Sequence, residues 1–201
     1  MKKMNLPNKI TIFRIILSFI IIIILLFPWY YINIEFPKYI INEKIVIDLK
    51  YVIAGFLFIL ASISDFIDGI IARKYKLITS FGKTMDSIAD KILTDPLLII
   101  LAANGMISPV IPVVIIIRDS IVNAIKMIVG TKEGAIGAIL SGKIKAACLM
   151  FGLALTLFYN LPFELWNLDV ATFLLVVGTI LSVVSGIEYY VKYKKHLFIE
   201  N

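Results

Sequence analysis

Residues 51–90 read YVIAGFLFILASISDFIDGIIARKYKLITSFGKTMDSIAD, and two features of this stretch decide the fold. The run from Tyr51 to Ser64 carries no charge, so it suits a helix in an apolar medium. Asp65 and Asp68 then interrupt it, and Asp86 and Asp90 follow after a short basic segment. Spacings of three and four residues place each pair on one helix face. A carboxylate at the centre of a membrane helix costs about 2.5–3.5 kcal/mol on the mild insertion scale. Four of them therefore need a compensating partner. Consecutive helices joined by a short loop run antiparallel as neighbours, so the four carboxylates are expected to converge at one membrane boundary.

The composition agrees with a lipid setting. The chain has 201 residues, 60% hydrophobic and 17% charged, with a mean hydropathy of +0.96. A soluble domain is about 45–50% apolar and about 25% charged, so a disordered chain and an ordinary soluble enzyme are excluded. A membrane helix needs about 20 mostly apolar residues. Such stretches run over 10–32 and 51–73, from near Asp86 to a hairpin at Asn104, Gly105, Ser108 and Pro109, on to Val129, and over 145–163 and 170–190. The expectation is an all-α polytopic membrane protein with six transmembrane helices in a single domain over 1–201. The leading MKKMNLPNKITIFR is read either as a juxtamembrane amphipathic helix on the inner surface or as a flexible lead-in to the first span. The loop over 33–50 is expected to be an ordered interfacial piece.

Charge orients the chain. With the N-terminus inside, the inner segments hold Lys2, Lys3, Lys9, Arg73, Lys74, Lys76, Lys83, Lys132, Lys143 and Lys145, and the outer loops only Lys38, Lys44 and Lys50. The positive-inside rule then places both termini and the acid cluster on the cytoplasmic side of the cell membrane. The net charge of +6 suits membrane lipids and phosphorylated substrates. No nucleic-acid motif accompanies it, so no nucleic-acid partner is expected. The single cysteine, Cys148, excludes a disulfide framework and reads as a packing residue. His196 lies in a charged tail and reads as a solvated side chain.

Oxygen ligands without nearby His or Cys suit Mg²⁺ or Mn²⁺. An ion-pair cluster with Arg73, Lys83 and Lys91 is the plain alternative, but it leaves the small residues unexplained. Gly69 and Ala72 open space against the backbone of the same helix, and Arg73 suits a phosphate oxygen. The pattern Asp65-x2-Asp68-Gly69-x2-Ala72-Arg73-x8-Gly82-x3-Asp86-x3-Asp90 resembles the signature of the CDP-alcohol phosphatidyltransferases at every fixed position. The resemblance implies a transferase with a pair of divalent ions, held by Asp65, Asp68, Asp86 and Asp90. It further implies that Asp90 is also the general base, and that Asp68, Gly69, Ala72, Arg73 and Gly82 bind the CDP-lipid.

The fourth and fifth spans carry further cations. Arg118 lies inside an apolar helix, Lys126 is eight residues on, and Lys143 opens the next helix. Three inward cations suit a second phosphate, that of a phosphorylated acceptor. Lys145 reads as a lysine snorkelling at a helix end. The opening Asn5-Leu6-Pro7-Asn8-Lys9-Ile10-Thr11 with Arg14, the Arg118-Asp119 element and the Gly142-Lys143 element resemble the bacterial members of that family that use glycerol-3-phosphate. That resemblance implies transfer from CDP-diacylglycerol to glycerol-3-phosphate with release of CMP. It gives Asn8, Thr11 and Arg14 a part in closing the nucleotide site. Lys126 stands where those members more often have Arg, and Asp119 where Glu is more usual. The family also suggests a homodimer, for which Ala102, Ala103 and Gly105 offer small contact residues. The rivals are another acceptor, such as an inositol phosphate or phosphatidylglycerol (giving cardiolipin), and, from a different class, a divalent-cation transporter.

Overall fold

A computed structural model describes the chain apart from residues 1–5, 42–44, 76–79, 134–138 and 198–201. Among the described residues six long helices follow one another: α1 Leu6–Leu26, α2 Leu49–Lys74, α3 Ser80–Ala103, α4 Val110–Glu133, α5 Leu140–Leu157 and α6 Val170–Leu197. Short 3-10 helices cover Trp29–Ile32 and Phe163–Trp166. Strands β1 Lys38–Ile41 and β2 Ile45–Asp48 pair antiparallel, Lys38 opposite Asp48 and Ile41 opposite Ile45. Helices α1, α2, α5 and α6 are long and apolar enough to cross a membrane. Helices α3 and α4 have 24 residues each, about 36 Å, but carry several charges.

Local chemistry sets the boundaries. Helix α1 starts four residues before the expected Ile10, because Pro7 is tolerated in a first turn. The described part of the leading segment, Leu6 to Arg14, is thus continuous with α1 and is not a separate surface helix. Pro28 ends α1 short of Ile32 by disfavouring helix in the residue before it. Asp48 caps α2, its Oδ1 accepting the Lys50 N–H at 3.0 Å, and Asp169 caps α6 through the Thr172 N–H at 3.0 Å. Helix α5 stops at Leu157 because Tyr159 and Asn160 turn to positive φ, 56° and 55°. The expected hairpin lies between Ala103 and Val110, with Gly105 at φ +70°, where a side chain would be strained although space is open around it.

The chain divides into two compact units, 1–101 with 157–161, and 102–156 with 162–201. In the first, α1 packs on α2 with Leu17, Ile21 and Leu25 facing inward beside Ala54, Phe58 and Ala61. Gly55 admits the 157–161 segment: a Cβ there would stand 2.9 Å from the Phe158 ring. In the second unit α4 packs on α6 around Val122, Ile125, Val129, Tyr189 and Tyr193. Phe13, Ile16, Phe19, Ile23, Phe56 and Phe151 point outward, each at least half exposed. Apolar exposure on this scale is stable only in lipid, so the chain is a multi-pass membrane protein.

Candidate active site

The first unit gathers acids toward one end. Asp65 and Asp68 lie on α2 and Asp86 on α3, with their carboxylate oxygens within 4.8 Å of one another. Asp68 is buried, while the side chains of Asp65, Asp86 and Asp90 are 28, 43 and 47% exposed. The spacing argument for one shared face thus leads to one shared cluster.

The counter-charge comes from a helix outside the signature. Arg14 of α1 is fully buried and ion-paired with Asp65 and Asp86, and its Nη1 lies 3.2 Å from Asp90 Oδ1. Thr11 Oγ1 stands 3.3 Å from Asp68 Oδ2 and donates to the Pro7 carbonyl at 3.1 Å. Ser18 Oγ donates to the Arg14 carbonyl at 2.9 Å. Residues 11, 14 and 18 form a polar stripe on the inward face of an otherwise apolar helix. Arg14 and Thr11, expected to close a nucleotide site, therefore belong to the acid cluster itself. Asn8 is half-buried beside Pro7. Gly69 and Gly82 lie on α2 and α3 as expected and are half-buried. The side chains of Ala72, Arg73 and Lys83 lie outside the described residues.

The donor set fits a hard divalent cation. It holds carboxylates only, and one guanidinium does not balance four acids. Asp90 Oδ1 is also buried and, among the described residues, accepts no hydrogen bond, which suits a cation ligand. Arg14 then supplies the repulsion-relieving charge when no other cation is bound. Arg14→Met is expected to lower stability in chelator by about 1–3 kcal/mol, less than for a fully buried pair because the acids are part-exposed. Thermal unfolding in detergent checks this: added Mg²⁺ should raise the midpoint more in the variant than in the wild type.

The second unit gathers cations. Arg118 and Lys126 of α4 both approach the Tyr189 ring on α6, with Arg118 Cζ 5.8 Å and Lys126 Nζ 5.0 Å from its centroid. Arg118 also reaches Asp119 at 2.8 Å and Ser185 at 2.5 Å. Lys143 is exposed and is not drawn into this group by any contact seen. Lys145 differs from its expected snorkelling role: it is buried and ion-paired with Asp119 at 2.5 Å. An acid inside the apolar α4 needed a partner, and that was the signal for it. A cavity of about 860 Å³ at the other end of the first unit is lined by Leu25, Trp29, Phe36, Lys38 and Lys50. It contains none of the signature acids, so the depression there is separate from the chemistry.

Comparison with known proteins agrees with this geometry. The family model "CDP-alcohol phosphatidyltransferase" matches residues 4–184. A Bacillus subtilis (strain 168) protein named CDP-diacylglycerol--glycerol-3-phosphate 3-phosphatidyltransferase is 37% identical over 188 residues, 94% of each chain. A Rickettsia bellii protein of the same name is 32% identical over 193 residues, 96% of this chain and 97% of its own. One from Haemophilus influenzae is 30% identical over 192 residues, 93% of this chain and 92% of its own. With Asp65, Asp68 and Asp86 assembled into one cluster and the family match running over residues 4–184, the chain belongs to the CDP-alcohol phosphatidyltransferase family.

Proposed function

We propose that this chain transfers the phosphatidyl group of CDP-diacylglycerol to sn-glycerol-3-phosphate, giving phosphatidylglycerophosphate and CMP. The observation that carries this reading is the assembly of Asp65, Asp68 and Asp86 into one carboxylate cluster. The acceptor follows from the names of the relatives and from the paired cations of the second unit.

The acceptor hydroxyl gives its proton to Asp90, and its oxygen attacks the phosphorus that carries the diacylglycerol. The bond to the bridging oxygen breaks, and that oxygen leaves with CMP. Asp65, Asp68, Asp86 and Asp90 would hold the divalent ions, Mg²⁺ or Mn²⁺ and two in number. Such ions neutralise the diphosphate and stabilise the departing phosphate. Gly69, Ala72 and Gly82 let the nucleotide approach the helix backbone, and Arg73 holds the diphosphate. Positioning and charge neutralisation carry most of phosphoryl transfer, and the chain is built for both. Arg118, Lys126 and Lys143 receive the acceptor phosphate.

The enzyme spans the membrane six times as one catalytic domain, works as a homodimer, and faces the cytoplasm with both termini. The lysine and arginine bias of the segments flanking the acid cluster supports that orientation. A cation transporter would want acids at mid-membrane on several helices. Here the acids gather toward one end of the first unit, with Arg14 among them.

Purified protein in detergent, supplied with labelled CDP-diacylglycerol, tests the reading. Glycerol-3-phosphate is expected to yield labelled phosphatidylglycerophosphate, and Arg118→Ala to raise the KM for glycerol-3-phosphate at least about tenfold, the value of one charged hydrogen bond. Product from an inositol phosphate or phosphatidylglycerol, with none from glycerol-3-phosphate, overturns the acceptor. Metal uptake into liposomes without CMP release overturns the transferase.

A further inference from the structure

We propose that Asp119 is a positioning residue for acceptor binding: one of its carboxylate oxygens ties Arg118 to Lys145 and so fixes where the Arg118 guanidinium stands. The inference rests on the reading that Arg118 holds the acceptor phosphate.

Neighbours in a helix sequence do not face each other, so the contact between Arg118 and Asp119 is not a product of helix geometry. A third group draws it in. Lys145 of α5 donates to Asp119 Oδ1 at 2.5 Å, and Arg118 Nη1 donates to the same oxygen at 2.8 Å. Lys145 is buried, so its charge holds the carboxylate in place without competition from water.

Helix α6 completes the cradle. Arg118 Nη2 donates to Ser185 Oγ at 2.5 Å, and Ser185 Oγ donates onward to the Ser182 carbonyl at 3.1 Å. Gly186 leaves bare backbone beside the guanidinium stem: a Cβ there would stand 3.1 Å from Arg118 Cγ and 3.4 Å from Nε. The Tyr189 ring stands 5.8 Å from Arg118 Cζ, and its hydroxyl accepts the Ile139 N–H at 3.3 Å. Four groups from two helices therefore restrict a side chain that would otherwise sample many rotamers. A guanidinium held in advance binds phosphate without first losing that freedom. The benefit is expected to fall on acceptor binding and not on the CDP-lipid, because the side chain that this network holds is the one assigned to the acceptor phosphate.

Initial-rate kinetics with both substrates varied, on full-length protein in detergent, test the inference. Asp119→Asn is expected to raise the KM for glycerol-3-phosphate about tenfold and to leave the KM for CDP-diacylglycerol within about twofold. Asp119→Glu, which keeps the charge, is expected to return the acceptor KM to within about threefold of wild type. If Asp119→Asn does not fold, the double variant Asp119→Asn/Lys145→Gln, which also removes the buried lysine charge that Asp119 neutralises, carries the same expectation. Equal change in both KM values, or failure of the Glu variant to rescue, overturns the inference by making Asp119 merely structural. A raised acceptor KM in Arg118→Ala beside an unchanged one in Asp119→Asn also overturns it while sparing the acceptor site. An unchanged acceptor KM in Arg118→Ala removes the site itself, and the inference with it.

Discussion

Asp68→Ala is expected to reduce phosphatidyl transfer by about three orders of magnitude or more, because the charge clamp on the diphosphate is the main source of catalysis in such reactions. Asp65→Ala is expected to do the same. Asp68 is buried at the centre of the cluster, with Thr11 hydroxyl against one oxygen and the acids of Asp65 and Asp86 around it. A water molecule in its place brings no charge. The loss should therefore persist at every Mg²⁺ concentration. Release of CMP measured across a magnesium titration checks this. Recovery at high Mg²⁺ would mean that Asp68 only adjusts affinity and that the rest of the cluster suffices.

Asp90→Asn is expected to separate chemistry from binding. Loss of a positioned general base costs about two to four orders of magnitude in turnover, whereas Asp65, Asp68 and Asp86 still form a three-carboxylate set. Titration of CDP-diacylglycerol into the variant should give an affinity close to that of wild type while single-turnover product formation collapses. Loss of lipid binding in parallel with turnover would instead assign Asp90 to ligation alone. Retained turnover would take the base away from this residue.

Much of this architecture was legible because membrane helices announce themselves. Uncharged runs of helical length located α1, α2, α5 and α6, and the Asn104 to Pro109 cluster located the break before α4. The acid cluster was legible for a local reason: Asp65 with Asp68, and Asp86 with Asp90, sit at helical spacings, and the loop between their helices is short. Arg14 was harder to place. Its partners lie far along the chain, Asp86 being 72 positions away, and nothing in the opening segment names them. A signal did exist in Thr11, Arg14 and Ser18, which recur at helical spacing on a helix that is otherwise Ile, Leu and Phe. In lipid such a polar stripe marks the inward face, the reverse of a soluble helix.

Lys145 misled for a related reason. A lysine three residues past Gly142 at a helix start satisfies every rule for snorkelling, yet Lys145 is buried and ion-paired with Asp119 on α4. The end of α1 was displaced by one residue, Pro28, and that of α5 by the positive-φ pair Tyr159 and Asn160. The paired strands Lys38–Ile41 and Ile45–Asp48 were expected only as part of an ordered interfacial segment. They are four residues each, too short for an alternating pattern to stand out.

The aspartates of α2 and α3 are expected to bind divalent ions for the transfer of a nucleotide-activated lipid. Crystals of the full-length enzyme grown with Mn²⁺ and CDP-diacylglycerol, measured at the manganese absorption edge, test it directly. The account predicts anomalous peaks within about 2–2.5 Å of oxygens from Asp65, Asp68 and Asp86, with the diphosphate against them. Manganese bound elsewhere, with these side chains turned toward the acyl chains, would contradict it.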